Sequence, residues 1–183
     1  MEIVVLLAVA SVIATLTAMV LLQANRLERV QETWTKLERT RLAEFNAAAG
    51  GGTAFFQDIG RNPQLLSHLV TAIVTGDKDA CGNSYTGGQR GSWLGPYGGF
   101  TIDPNVGLPT PIGNGNNLLV RNPTAGGVGT LAIVFPNVDV ADASLLDQVY
   151  DNADGNLAGA VQWTNPVGGL TTMSYLWAIT NAC

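Results

Sequence analysis

Twenty consecutive residues, Ile3 to Leu22, carry no charge, no glycine and no proline, and their only polar members are Ser11, Thr15 and Thr17. As a helix rising 1.5 Å per residue, the run spans about 30 Å, the hydrocarbon thickness of a bilayer. A helix packed at the edge of a soluble core carries a polar stripe. This one has none, so it is expected to be membrane-inserted or similarly buried on every side. A single carboxylate, Glu2, stands at its mouth. A cleaved secretory signal has basic residues before the apolar run and a small-residue cleavage site after it. Here the run passes straight into a charged segment, and it is expected to be retained.

From Gln23 the pattern changes without any helix breaker. Leu27, Val30, Trp34, Leu37, Leu42 and Phe45 recur mostly at three- and four-residue steps, and Arg26, Glu28, Arg29, Glu32, Lys36, Glu38, Arg39, Arg41 and Glu44 fill most of the other positions. Glu28 and Glu32 repel at i,i+4, while Glu32 and Lys36 attract in the favourable order. Ala47-Ala48-Ala49 followed by Gly50-Gly51-Gly52 sets a strong helix former against a strong stop. The expectation is one helix from about residue 2 to 49, roughly 70 Å long. Three parts follow: an apolar span over 1–24, its amphipathic continuation and glycine stop over 25–52, and a head domain over 53–183.

In the head, Asn62-Pro63 reads as a cap and first helical residue and Gly76 as a terminator, which predicts a helix over "PQLLSHLVTAIVT" with His68 partly exposed on it. Residues 77–117 are dense in glycine, proline, asparagine and aspartate, predicting a long looped region with a short strand or two. Strands are expected at Asn117–Arg121, Gly129–Phe135, Ala158–Thr164 and Thr171–Ile179. Between the second and third, "DVADASLLDQVYD" predicts a short helix capped by Asp139, with Ala143, Leu146 and Val149 on its inner face. The fold class is α+β, a long helix laid on a small antiparallel sheet.

Little in the chain points to catalysis. With His68 the sole histidine, Ser-His-Asp and Cys-His chemistry are disfavoured, and no enzyme is expected. "GGVGT" at 126–130 lacks the ending of a phosphate-binding loop, and it reads as a turn, as does Gly113-Asn114-Gly115. Residues 63–183 hold three basic and eight acidic side chains, which argues against a nucleic-acid partner for the head. Cys81 and Cys183 have no metal-site spacing, so a disulfide between them is favoured, with an oxidising compartment outside the cytoplasm. In "DQVYDNADGN", Asp147, Asp151 and Asp154 stand near Asn152 and Asn156, oxygen ligands suited to calcium. The stretch does not fit the EF-hand loop, because counting back from Gly155 puts Tyr150 at the first ligand position. A solvated helix end closing in an Asp-Gly turn competes, and the leading expectation is no metal and no cofactor. "SWLGPYGG" sets Trp93 and Tyr97 around a turn, as an anchor packing the loop or as a contact surface for another subunit.

A glutamate entering a long apolar helix, an amphipathic continuation ending near residue fifty, and a small α+β head with a late cysteine pair together resemble the type IV pilin and pseudopilin superfamily. Glu2-Ile-Val-Val-Leu-Leu resembles the start of processed prepilins, and Cys81 with Cys183 resembles the disulfide enclosing the C-terminal region of many type IV pilins. The stretch from "WLGPY" through "LAIVFPNVDV" to "LLDQVYDNADGNLAG" is also similar to the heads of some pilin-like proteins.

The resemblance implies a subunit made with a short basic leader, which a prepilin peptidase removes while often methylating the new N-terminus. The subunit waits in the inner membrane, and the pilus assembly machinery then polymerises it with copies of itself into an extracellular filament. A carboxylate carried into the apolar bundle is costly alone but tolerable beside a neighbour's amine, so Glu2 would set subunit register. Without the resemblance, Glu2 is an interfacial anion favoured by the helix dipole. Family members have four residues before the glutamate, whereas only Met1 precedes Glu2 here. Processing or methylation at Met1 thus implies an unusual site, and a start three residues upstream fits the family's helix length. Many pilins break the apolar half with glycine or proline; this chain predicts a continuous helix. Arg26 and Arg29 by themselves favour a cytoplasmic C-terminus, an orientation that a basic leader would reverse and that the disulfide requires reversed. Two other functions stay open: a pseudopilin of a type II secretion system, and a single-span membrane-anchored enzyme or binding domain.

Overall fold

A computed structural model describes residues 2–45, 54–123, 128–164 and 166–180. Helix α1 (Glu2–Phe45) runs for 44 residues without interruption, about 66 Å. The expected end at the alanine and glycine run falls on 46–53, outside the described residues. The head follows as α2 (Phe55–Ile59), α3 (Gly87–Gly91), strands β1 (Leu108–Thr110), β2 (Gly113–Gly115), β3 (Val120–Pro123) and β4 (Val128–Asp139), helix α4 (Val140–Tyr150), and strands β5 (Val161–Trp163) and β6 (Leu170–Thr180).

Two antiparallel sheets result, a β1-β2 ribbon and a four-stranded sheet in the order β3-β4-β6-β5. In β6 the burial alternates: Thr171, Met173, Tyr175, Trp177 and Ile179 are buried, and the residues between them are not. The period of two is what a strand with one covered face dictates. Strand β4 pairs along β6 from Val128↔Thr180 to Asp139↔Leu170, with a bulge between Phe135 and Val138 where Asn137 takes a left-handed φ of 58°. The extra residue returns Val138 to the same buried face as Leu131, Ile133 and Phe135. Pro123 stands on the edge strand β3, where its missing N–H breaks no inner ladder.

The back half of α1 lies on this core along a stripe of Val30, Thr33, Leu37, Thr40 and Glu44, all buried. The steps are three and four, as expected, but the stripe is rotated from the one the large apolar residues outline. Leu27 stays exposed, Trp34, Leu42 and Phe45 are half-buried, and two threonines and a glutamate take the innermost positions. The threonines are tolerated because each hydroxyl donates back to a carbonyl four residues earlier, Thr33 to Arg29 at 2.8 Å and Thr40 to Lys36 at 2.8 Å. Trp34 then stacks on Tyr150 with ring centroids 4.9 Å apart and meets Tyr175 edge-on at 5.7 Å, joining α1, α4 and β6.

Three expectations need correction. No α-helix spans 63–75: Pro63 and Leu65 form bridges with Asp79 and Leu118, and only Leu66–Leu69 winds as a short 3-10 turn. The cause is tertiary pairing, since the Leu66 N–H bonds to Asn117 and the Leu119 N–H to Gln64. His68 is accordingly buried, not partly exposed. In α4 the cap is as expected, Asp139 accepting from the Ala141 N–H at 2.8 Å. The inner face is Ala143, Leu146 and Tyr150, while Val149 faces out and Asp147 turns in. Strands occur near the four expected places, at β3, β4, β5 and β6, but β3 begins three residues later than expected and β5 is shorter. The looped region also holds α3, whose Thr86 cap accepts from Gln89.

Candidate functional site

The front of α1 carries the most unusual surface. Leu7, Val9, Val12, Ile13, Leu16, Met19, Val20, Leu21 and Leu22 all lie exposed around the helix. Two of its three hydroxyls are spent on the helix backbone, Thr15 donating to the Ser11 carbonyl and Thr17 to the Ile13 carbonyl. Helix α1 is the one helix among the described residues long and apolar enough to cross a membrane. Glu2 begins the helix; Met1 lies outside the described residues.

Where the apolar run ends, α1 is clamped to the head. Asp142 on α4 is buried and takes Arg26 Nε at 3.0 Å and Arg29 Nη2 at 2.9 Å, while Arg26 also approaches Asp139 at 3.7 Å. Loss of water raises the Asp142 carboxyl above its ordinary range and outweighs the two arginines, which pull it down. Gln23, Arg26 and Leu27 of α1 face Ala141, Ser144, Leu145 and Gln148 of α4 across a shallow groove at this level. Further along, Glu38 binds Arg41 at 2.7 Å and accepts from the Tyr175 hydroxyl. Glu44 is fully buried, accepts from Trp177 Nε1 at 3.0 Å and leaves Oε1 without a donor. Burial lifts its pKa to about 8, against the Trp177 hydrogen bond, which lowers it.

At the other end of α4, Asp147 lies in its last turn, Asp151 caps the helix and Asp154 follows in the loop, with one carboxylate oxygen of each within 4.8 Å of the others. The chain reverses through Asn152 and Ala153, both left-handed at φ 63° and 55°. Asp151 Oδ2 then accepts from the Val161 N–H at 2.6 Å, tying the loop to β5. The Asn156 side chain turns away to the carbonyl of Trp163. Sequence reasoning found this cluster but not its burial, because Asp147 and Asp151 face inward where a solvated helix end would leave them in water.

The remaining expected residues are structural here. Cys81 is half-buried beside Asp79, whose carboxylate accepts from the backbone of Cys81 and Asn83 and pairs with Arg61. Cys183 lies outside the described residues, and with it the expected bridge. Trp93 donates to the His68 carbonyl at 2.9 Å and packs edge-on against Tyr97, which itself meets Phe55; the pair anchors the loop as one of its two readings expected. Gly113 and Gly115 form strand β2 rather than a bare turn, and 126–127 of "GGVGT" lie outside the described residues. Compared with protein-family models, with curated proteins and with solved structures, the chain matches none of them.

Proposed function

We propose that this chain is the structural subunit of a type IV pilus-like filament, anchored in the inner membrane by the front of α1 before assembly and held together by the same segment afterwards. The observation that carries the reading is the division of one unbroken helix. Its back half is docked on an acidic α+β head, and its front half is exposed and apolar all round. Apolar surface of that extent is stable only in lipid or against other apolar helices. In the assembled state Glu2 pairs with the amine of a neighbouring copy and fixes register. A Cys81–Cys183 bridge closes the head in the oxidising space outside the cytoplasm.

Electron microscopy of sheared surface fractions tests the proposal. Filaments containing this chain are expected, and Glu2→Ala is expected to insert into the membrane yet not enter filaments. Sheared fractions without filaments, with the chain confined to detergent extracts as a monomer, would leave only an anchored single domain. Normal filaments from the variant would remove the register role of Glu2.

A further inference from the structure

The turn between β5 and β6 is apolar where it meets solvent. Pro166, Val167, Gly168, Gly169 and Leu170 are all exposed, and Val167, at 84%, is more exposed than any other large apolar residue described, the front of α1 included. Single apolar residues on a surface need no explanation. Hairpin turns, however, usually recruit asparagine, aspartate or serine beside glycine. Here Gly168 and Gly169, at φ 63° and 82°, make the turn, and the Val167 and Leu170 N–H groups each donate to the other's carbonyl, at 2.9 and 3.2 Å. No charged residue occurs from Thr164 to Thr172.

The place of this turn along α1 gives it a partner. Leu170 pairs across the sheet with Asp139, which Arg26 approaches at 3.7 Å, and the Gly169 carbonyl accepts from the Val140 N–H at 3.0 Å. From Leu170, β6 rises beside α1 in the same direction, Tyr175 reaching Glu38 and Trp177 reaching Glu44. The turn therefore stands at the end of the head nearest the apolar run. Arg26 comes four residues after Leu22, or about 6 Å, which falls within a headgroup layer of about 5–7 Å on each side of the hydrocarbon. Leu27 and Ala141 line the groove between α1 and α4 at the same level. We propose that the β5–β6 turn is a second membrane contact: Val167 and Leu170 enter the boundary between headgroups and acyl chains in the leaflet that α1 leaves, and seat the head on the lipid before assembly. Insertion there buries apolar surface and takes no charge on the turn out of water. Membrane helices tilt by about 20° on average, and a tilt towards the β5–β6 side lowers the turn to that depth. The inference rests on the membrane anchoring of the filament reading and not on polymerisation.

The full chain is reconstituted, without any assembly machinery, in vesicles of phosphatidylethanolamine with phosphatidylglycerol. It carries a photo-crosslinking residue in place of Val167, of Leu16 or of Leu94, and the adducts are identified by mass spectrometry. Leu94 is the control, 69% exposed but in the loop whose Tyr97 meets Phe55, beside the contact of Phe56 with Phe45 at the other end of α1. Lipid adducts are expected at Leu16 and at Val167, with those at Val167 exceeding those at Leu94 by about 10-fold or more, the preference that burying a valine-sized side chain confers. Adducts at Leu16 with Val167 no higher than Leu94 overturn the proposal and leave the anchor standing. Absence of lipid adducts at Leu16 as well removes the anchor, and the proposal with it. Val167 crosslinked to a second copy in place of lipid makes the turn a subunit contact and equally overturns it.

Discussion

The two halves of α1 share one backbone geometry and differ in what satisfies them. In the back half every inward residue has a partner in the head or on its own helix: Val30 and Leu37 in the core, Thr33 and Thr40 on the preceding turn, Glu44 on Trp177. In the front half the large side chains from Leu7 to Leu22 that are described lie exposed, and the Thr15 and Thr17 hydroxyls are spent on the helix itself. Hydrogen bonding makes both halves helical; only the back half is also held by tertiary packing. The front must therefore draw its stability from other molecules.

The largest test of this contrast places the same substitution in each half. Leu37→Ala should destabilise the head by about 2–5 kcal/mol, the usual cost of emptying a buried leucine site. Leu16→Ala should change it by less than about 0.5 kcal/mol, as at an exposed position. Thermal denaturation of the chain in detergent compares the two, and equal losses would mean that the halves are not separate.

Next in size is a pH effect confined to the back half. Glu44 has a folded pKa of about 8 against an ordinary 4.5, so between those values the folded chain keeps a proton that the unfolded chain releases. Its effect on stability is therefore favourable at low pH and is lost as pH rises from about 4.5 to 8, at about 1.4 kcal/mol per pKa unit. His68, whose pKa burial lowers, acts oppositely, adding stability as pH rises through its ordinary value of 6.5. Glu44→Gln isolates the first effect: denaturant melts should show the variant gaining on the native chain, by up to several kcal/mol, as pH rises towards 8. Parallel curves for the two proteins would exclude Glu44 as the source.

The stripe also shows how far the sequence could be read. The long helix, its change of character near Gln23 and the antiparallel strands were legible because runs of one period impose them. Which residues of α1 point inward was not, because burial of Thr33, Thr40 and Glu44 depends on back-bonding and on Trp177, more than a hundred residues away. The missing helix over 63–75 has the same origin, since pairing of Leu65 and Leu66 with Asn117 and Leu118 overrides a good local cap signal. The acidic cluster was visible as composition; its burial was not, because Asp147 and Asp151 sit on the inward side of the end of α4, which depends on how that helix packs.

Smaller effects are expected at the junction of the halves. Asp142→Ala frees Arg26 and Arg29 together, and because both guanidiniums are partly exposed the loss should be about 1–2 kcal/mol by thermal melting. Asp139→Ala, which removes the α4 cap, should cost about 1 kcal/mol. A loss larger at Asp139 than at Asp142 would move the clamp from the arginines to the cap.

The claim that copies of this chain cover the front of α1 is tested most directly by a photo-crosslinking residue in place of Leu16, activated in the membranes of cells that make the protein. A ladder of homo-multimers, abolished when the crosslinker is moved to buried Leu37, is the predicted result. Adducts to lipid alone, with the chain migrating as a monomer, would contradict it.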